Sequence, residues 1–96
     1  MDIDTLVKDK HAEIARIAKV NGATRVRIFG SFARGTAGPG SDLDLLIDLA
    51  PGRHLLDLVA IKQDLEDLLD RPVHVVTEAA ISPYIRATVL RDATPL

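Results

Sequence analysis

Hydrophobic residues recur at helical spacing through the first twenty positions, at Ile3, Leu6, Val7, Ile14, Ile17 and Ala18. Residues three and four apart share one face of a helix, so this pattern predicts an amphipathic helix that ends at Asn21-Gly22. A second amphipathic helix is predicted over 55–69, with Lys62 as the one polar residue in its apolar stripe. Ser82-Pro83 predict the start of a last helix, because serine caps helices and proline fits their first position.

Strand patterns separate these helices. RVRIFG (25–30) alternates polar and apolar residues, and DLDLLIDL (42–49) is a mostly apolar run. RPVHVVT (71–77) is rich in valine, which favours a third short strand.

The remaining segments complete the order of elements. GTAGPGS (35–41) has the composition of a loop, and residues 31–33 before it predict a short helix or turn. The order is therefore α-β-(short α)-β-α-β-α over a single domain, residues 1–96. We predict an α+β fold with a small mixed β-sheet and helices packed on one face, which leaves the other face available for a site.

Composition narrows the function classes. The net charge of −2 and the even spread of the twelve Lys and Arg residues argue against direct nucleic-acid binding, which normally needs a basic surface. The absence of cysteine excludes disulfides and thiolate metal sites. No signal-peptide pattern is present, nor any run of about 20 apolar residues, so we expect a cytoplasmic protein that does not enter a membrane.

Two carboxylates interrupt the second predicted strand. Successive side chains alternate between faces, so Asp42 and Asp44 share one side about 6–7 Å apart, and Leu43 and Leu45 point into the core. Like charges this close favour a hard divalent cation between them, and Mg²⁺ commonly takes one or two carboxylates plus substrate phosphates. Considered alone, the pair is better explained by a solvated sheet face or by a charged edge strand than by a metal site.

The preceding turn adds a second signal. Gly30-Ser31 follow a predicted strand, where backbone N–H groups face an anion and the missing side chain admits a phosphate. Arg34, in the same turn, offers a planar fork for phosphate. The loop brings this turn to the edge that carries Asp42 and Asp44, and the combination indicates metal-assisted phosphoryl or nucleotidyl transfer.

Gly30-Ser31, ten intervening residues and Asp42-Leu43-Asp44 resemble the GS-x10-D-x-D signature of the DNA polymerase beta-like nucleotidyltransferase superfamily. The fuller text FGSFARG…SDLDLLID is most similar to the minimal, MNT-type members, and the likeness continues through RPVHVVTE and ISPYIRATVLRDA. The resemblance implies a nucleotidyltransferase-like core, with Mg²⁺ held by Asp42 and Asp44. The candidate nucleotide-binding residues are Gly30, Ser31, Arg34 and Ser41.

The resemblance also implies a reaction and a partner. In the superfamily a hydroxyl attacks the α-phosphate of a nucleoside triphosphate, pyrophosphate leaves and a nucleoside monophosphate is transferred. MNT-type proteins resemble antitoxins that transfer AMP from ATP to a tyrosine of a HEPN-domain toxin. We therefore expect an ATP-dependent protein adenylyltransferase that forms a hetero-oligomer with a HEPN toxin.

The third strand departs from the family pattern. MNT-type sequences typically read V-D-V-V-T there, whereas this chain reads VHVVT, so His74 takes the place of a third catalytic carboxylate. Asp48 and Glu78 are too far along the chain to replace it, and Asp70 would approach only if its turn folds back. A neutral imidazole suits a general base, and as a ligand it favours Mn²⁺ or Zn²⁺ over Mg²⁺. The alternative is a partly exposed strand histidine without a role.

The departure leaves two other functions open. A catalytically weak or inactive nucleotide-binding antitoxin would neutralise its partner by contact alone. A third possibility is modification of a small molecule or an RNA end. The lack of an extra substrate domain and of a basic stripe argues against the third.

Overall fold

The computed structural model describes residues 7–96 of the 96. Ile3 and Leu6 of the first predicted helix lie outside the described residues. The helices are α1 (His11–Val20), α2 (Gly30–Arg34), α3 (Leu55–Leu69) and α4 (Pro83–Asp92). The strands are β1 (Ala23–Phe29), β2 (Leu43–Leu49), β3 (Val73–Val76) and β4 (Thr94–Pro95), and a 3-10 helix spans Glu78–Ala80.

Local sequence accounts for where these elements begin and end. Gly22, with φ of 93°, supplies the left-handed backbone between α1 and β1. The Ser82 hydroxyl accepts a hydrogen bond from the Tyr84 backbone N–H and caps α4, with Pro83 as its first residue. These boundaries confirm the helix ends expected from the sequence.

The four strands form one mixed sheet in the order β3-β2-β1-β4. β1 pairs with β2 and with β4 in antiparallel fashion, and β2 pairs with β3 in parallel. The α+β prediction with a mixed sheet is confirmed. β4 was not expected from the sequence, since a two-residue edge strand carries no periodic signal.

One face of the sheet carries the main hydrophobic core. Leu43, Leu45 and Ile47 of β2 are fully buried there and pack with α1 and α3, which contribute Ile14, Ile61 and Leu65. Alternation along β2 requires Asp44, Leu46 and Asp48 to face the other way. The predicted inward orientation of Leu43 and Leu45 is thereby confirmed.

The opposite face is partly covered as well. Leu46 is fully buried against Ile81 and Val89, so α4 lies over the middle of this face. The expectation that all helices pack on one face needs this correction, since the last helix buries apolar residues that project from the other side. The open part of this face is therefore limited to its ends. None of the helices within residues 7–96 has the length and apolarity that crossing a membrane requires.

A group of ion pairs occupies one end of that face. Arg25 Nε donates to Asp48 Oδ2 at 2.7 Å, and Arg27 Nη2 donates to Glu78 Oε1 at 2.8 Å. The hydrogen bond from Arg27 lowers the pKa of Glu78. Asp48 and Glu78 are thus both engaged in ion pairs with arginines.

Helix α3 offers a matched test of the core. We expect Leu65→Ala to lower the free energy of unfolding by about 2–5 kcal/mol, because Leu65 is fully buried. Leu56→Ala on the same helix serves as the control, because Leu56 is 69% exposed and its truncation should change stability by about 0.5 kcal/mol or less. Urea denaturation followed by circular dichroism measures both, and equal losses would contradict this assignment of the core.

Candidate active site

Strand register places two sequence-predicted residues, Asp44 and His74, in one row across the sheet. Asp44 pairs with Phe29 of β1 on one side and with His74 of β3 on the other. Gly30 follows Phe29 directly and begins α2. Asp42 precedes the first residue of β2, so it lies at the end of the strand rather than within it.

The backbone of Gly30 lies directly against the Asp44 carboxylate. A Cβ atom at Gly30 would overlap Asp44 Oδ2, and the backbone has φ of +71°, a conformation that side chains disfavour. Both the lack of space for a Cβ atom and the positive φ therefore favour glycine at this position. From the sequence we expected a ligand phosphate to approach the Gly30 backbone closely. In the structure it is the Asp44 carboxylate that lies there.

His74 lies between the two aspartates and contacts both. Its Nε2 is 3.1 Å from Asp42 Oδ2, and its Nδ1 is 3.1 Å from Asp44 Oδ1. A neutral imidazole has one N–H, so both contacts are donated bonds only when the ring carries two protons. The imidazole ring therefore bridges the two neighbouring carboxylates.

Asp44 is the more enclosed of the two carboxylates, with 21% of its side chain exposed against 37% for Asp42. Burial raises the pKa of Asp44, contacts with His74 oppose the rise, and the negative charge of Asp42 adds to it. An ionised Asp44 is therefore costly without a nearby positive charge. Such a carboxylate gains most from a bound cation.

The sequence profile described as nucleotidyltransferase domain matches residues 8–95. The chain belongs to this nucleotidyltransferase family. A protein of Methanocaldococcus jannaschii with the provisional name of protein adenylyltransferase is 38% identical over 81 residues, which are 84% of this chain and 87% of that protein.

Solved structures share the fold. One, provisionally described as a minimal nucleotidyltransferase, gives a TM-score of 0.84 at 46% identity and covers 100% of this chain and 97% of that one. A toxin–antitoxin crystal structure with AMP-PNP gives 0.74 at 22% identity, covering 88% of this chain and 69% of that chain. At that identity the second likeness shows the fold alone.

The side-chain oxygens at this site suit a cation whose remaining ligands come from a substrate. Asp42 and Asp44 supply hard carboxylate oxygens, which suit Mg²⁺ when phosphates complete the shell. Within residues 7–96, no group of three carboxylate or imidazole side chains is arranged to hold a metal ion by itself. The two aspartates would hold the ion, and the His74 ring would have to turn from between them.

The other predicted nucleotide-binding residues are placed around this row. Arg34 Nη1 lies 3.1 Å from Asp92 Oδ2 of α4, so its guanidinium is held by an ion pair. The Ser41 hydroxyl accepts from the Gly38 N–H at 2.8 Å, which gives it a role in folding the loop. Ser31 accepts the Thr36 N–H at 2.9 Å through its backbone carbonyl.

Two residues near the site were not identified from the sequence. Asp92 pairs with Arg34, and Arg71 donates through Nη1 to the Ser41 carbonyl at 2.8 Å. Asp92 lies in the last helix, far along the chain, with no local pattern that points to the site. Arg71 directly precedes Pro72 and the third strand. Its position beside the strand that carries His74 could have identified it from the sequence as a residue near the site.

Two glycines allow a matched test of the Gly30–Asp44 contact. Gly30 and Gly35 have φ of +71° and +73°, but only a Cβ at Gly30 would meet another atom within 4 Å. We expect Gly35→Ala to cost about 1–2 kcal/mol of stability from its left-handed backbone alone. Gly30→Ala should cost more, because it also displaces Asp44. Urea denaturation of both variants checks this, and an equal cost would show that the contact with Asp44 is unimportant.

Proposed function

We propose that this protein is a metal-dependent nucleotidyltransferase that transfers AMP from ATP to a partner protein in the cytoplasm. The observation that carries the proposal is the juxtaposition of the Gly30 turn with Asp42 and Asp44 at one end of the sheet. The M. jannaschii relative, whose provisional name specifies protein adenylyltransfer, supports the acceptor class. The fold neighbour solved with AMP-PNP supports an adenine nucleotide as the substrate.

The chemistry follows from the residues in place. Asp42 and Asp44 would hold Mg²⁺, or Mn²⁺, which supplies charge that offsets the negative triphosphate. The Gly30-Ser31 turn would hold the phosphates, with Arg34 beside them.

The transfer step is a single displacement. An acceptor hydroxyl oxygen forms a bond to the α-phosphorus, the α–β bridging P–O bond breaks, and pyrophosphate leaves with that electron pair. His74 would accept the hydroxyl proton on a ring nitrogen that carries no proton, once that nitrogen has left its carboxylate.

We propose a HEPN-domain toxin as the partner, with a tyrosine as acceptor, so that transfer of AMP serves an antitoxin function within a hetero-oligomer. The toxin–antitoxin fold neighbour and the resemblance to MNT-type antitoxins support this assignment. A tyrosine hydroxyl matches the acceptor chemistry, because it is a protein nucleophile whose proton a general base must take.

A second candidate function rests on His74. The imidazole contacts both carboxylates at 3.1 Å and so occupies the space between them that a metal ion would need. A domain of this kind would bind its partner and neutralise it by contact alone, without transferring AMP. Whether His74 supports or blocks AMP transfer therefore distinguishes the two candidate functions.

Transfer can be tested directly. We expect incubation with ATP, Mg²⁺ or Mn²⁺ and the HEPN protein to add AMP to that partner, as read by intact-protein mass spectrometry. Asp42→Asn combined with Asp44→Asn should abolish both transfer and metal-dependent nucleotide binding in calorimetry. Asp48→Asn is the matched control, because Asp48 shares the sheet face but pairs with Arg25. Unchanged nucleotide affinity in the double variant would contradict the site assignment.

The role of His74 can be tested by restoring the family's carboxylate. We expect His74→Asp to raise the rate of AMP transfer with Mg²⁺, because the change supplies a third oxygen ligand and removes the ring from between the aspartates. Initial rates with Mg²⁺ and with Mn²⁺ measure this effect. If the variant gains nothing while the wild type already modifies its partner, the histidine is a working substitute for the carboxylate.

A further inference from the structure

Arg71 connects three parts of the candidate site. Its Nη1 donates to the Ser41 carbonyl at 2.8 Å, one residue before Asp42. Its guanidinium carbon lies 5.4 Å from the centre of the ring of Phe32, which follows Gly30 by two residues in the chain. Along the chain it stands three residues before His74.

The hydrogen bond to Ser41 connects the loop before Asp42 to the residues that precede β3. The loop that precedes Asp42 folds on itself, with the Ser41 N–H donating to the Gly38 carbonyl at 3.0 Å. On the other side of Asp42, the Leu43 N–H donates to the Pro72 carbonyl at 3.0 Å. The backbone of Asp42 is therefore held from both sides by the adjacent pair Arg71 and Pro72.

The contact with Phe32 determines where the guanidinium lies. Phe32 is buried in the main core, and it belongs to the short helix that begins at Gly30. A planar guanidinium over an aromatic face is attracted by the ring and keeps a defined orientation. Through this contact the turn with Gly30 and the loop with Asp42 share one rigid support.

We propose that Arg71 is a positioning residue that sets the distance between Asp42 and the Gly30–Asp44 contact. It acts through the Ser41 carbonyl and the Phe32 ring and has no contact with substrate. The inference rests on the proposed metal–nucleotide site, and it deepens that proposal by naming the support that keeps the two aspartates in register. Loss of the Arg71 contacts should increase the mobility of the Asp42 backbone and leave the pairing of β2 unchanged.

Two substitutions separate donation from packing. Arg71→Met keeps an apolar chain over Phe32 but cannot donate, and Arg71→Lys keeps the charge and a donor without the planar stack. Arg16→Ala on the exposed side of α1 is the control for the loss of one positive charge. Calorimetry with Mg²⁺ and a non-hydrolysable ATP analogue, together with amide hydrogen exchange of unliganded protein, provides two independent readouts.

We expect Arg71→Met to weaken analogue binding by about tenfold or more, the equivalent of one charge-assisted hydrogen bond, and Arg71→Lys to recover part of the loss. Exchange should rise at residues 38–42 and stay unchanged in β2. Wild-type affinity in Arg71→Met, even with a lower melting temperature, would overturn the inference. If wild type binds no nucleotide, the proposed function fails, and exchange alone then decides: unchanged protection at 38–42 overturns the positioning role, and lost protection supports it.

Discussion

The placement of β2 between β1 and β3 is the constraint on which the site depends. Its register sets Asp44 opposite Phe29 and His74, and it thereby presses the Gly30 backbone against the Asp44 carboxylate. A shift of one residue would turn Asp44 into the core and expose its neighbours. The full burial of Leu43, Leu45 and Ile47 prevents that shift, so the hydrophobic core fixes the geometry of the polar site on the other face.

The candidate site holds two neighbouring carboxylates, and bringing their negative charges together lowers the stability of the fold. Burial raises the pKa of Asp44, and the neighbouring Asp42 adds to the effect, so two ionised carboxylates here oppose folding unless a positive group offsets them. The His74 ring lies between the two carboxylates in the protein by itself, and in the proposed function a divalent ion would take that position. In the proposed function, the substrate-binding arrangement would differ from the one observed in the position of the His74 ring.

Much of the fold followed from the sequence because its signals are local. The periodicity of 55–69, the Ser82-Pro83 start and the alternation around Asp44 each fix an element without reference to the rest of the chain. The packing of α4 over Leu46 and the pairing of Arg34 with Asp92 depend on contacts between distant segments, and no spacing encodes them. The bridging contact of His74 with both aspartates likewise needs the parallel register of β2 and β3. The sequence identified the residues, and tertiary structure determined which of them touch.

The central claim is that Asp42, Asp44 and the Gly30 turn form one metal–nucleotide site. Paramagnetic broadening of ¹H–¹⁵N spectra by Mn²⁺, added with a non-hydrolysable ATP analogue, tests it most directly. The account predicts that the amides of Gly30, Ser31, Asp42 and Asp44 broaden first, with His74 beside them. Broadening centred instead on the cavity of about 530 Å³ lined by Lys19, Arg25 and Leu96 would contradict it.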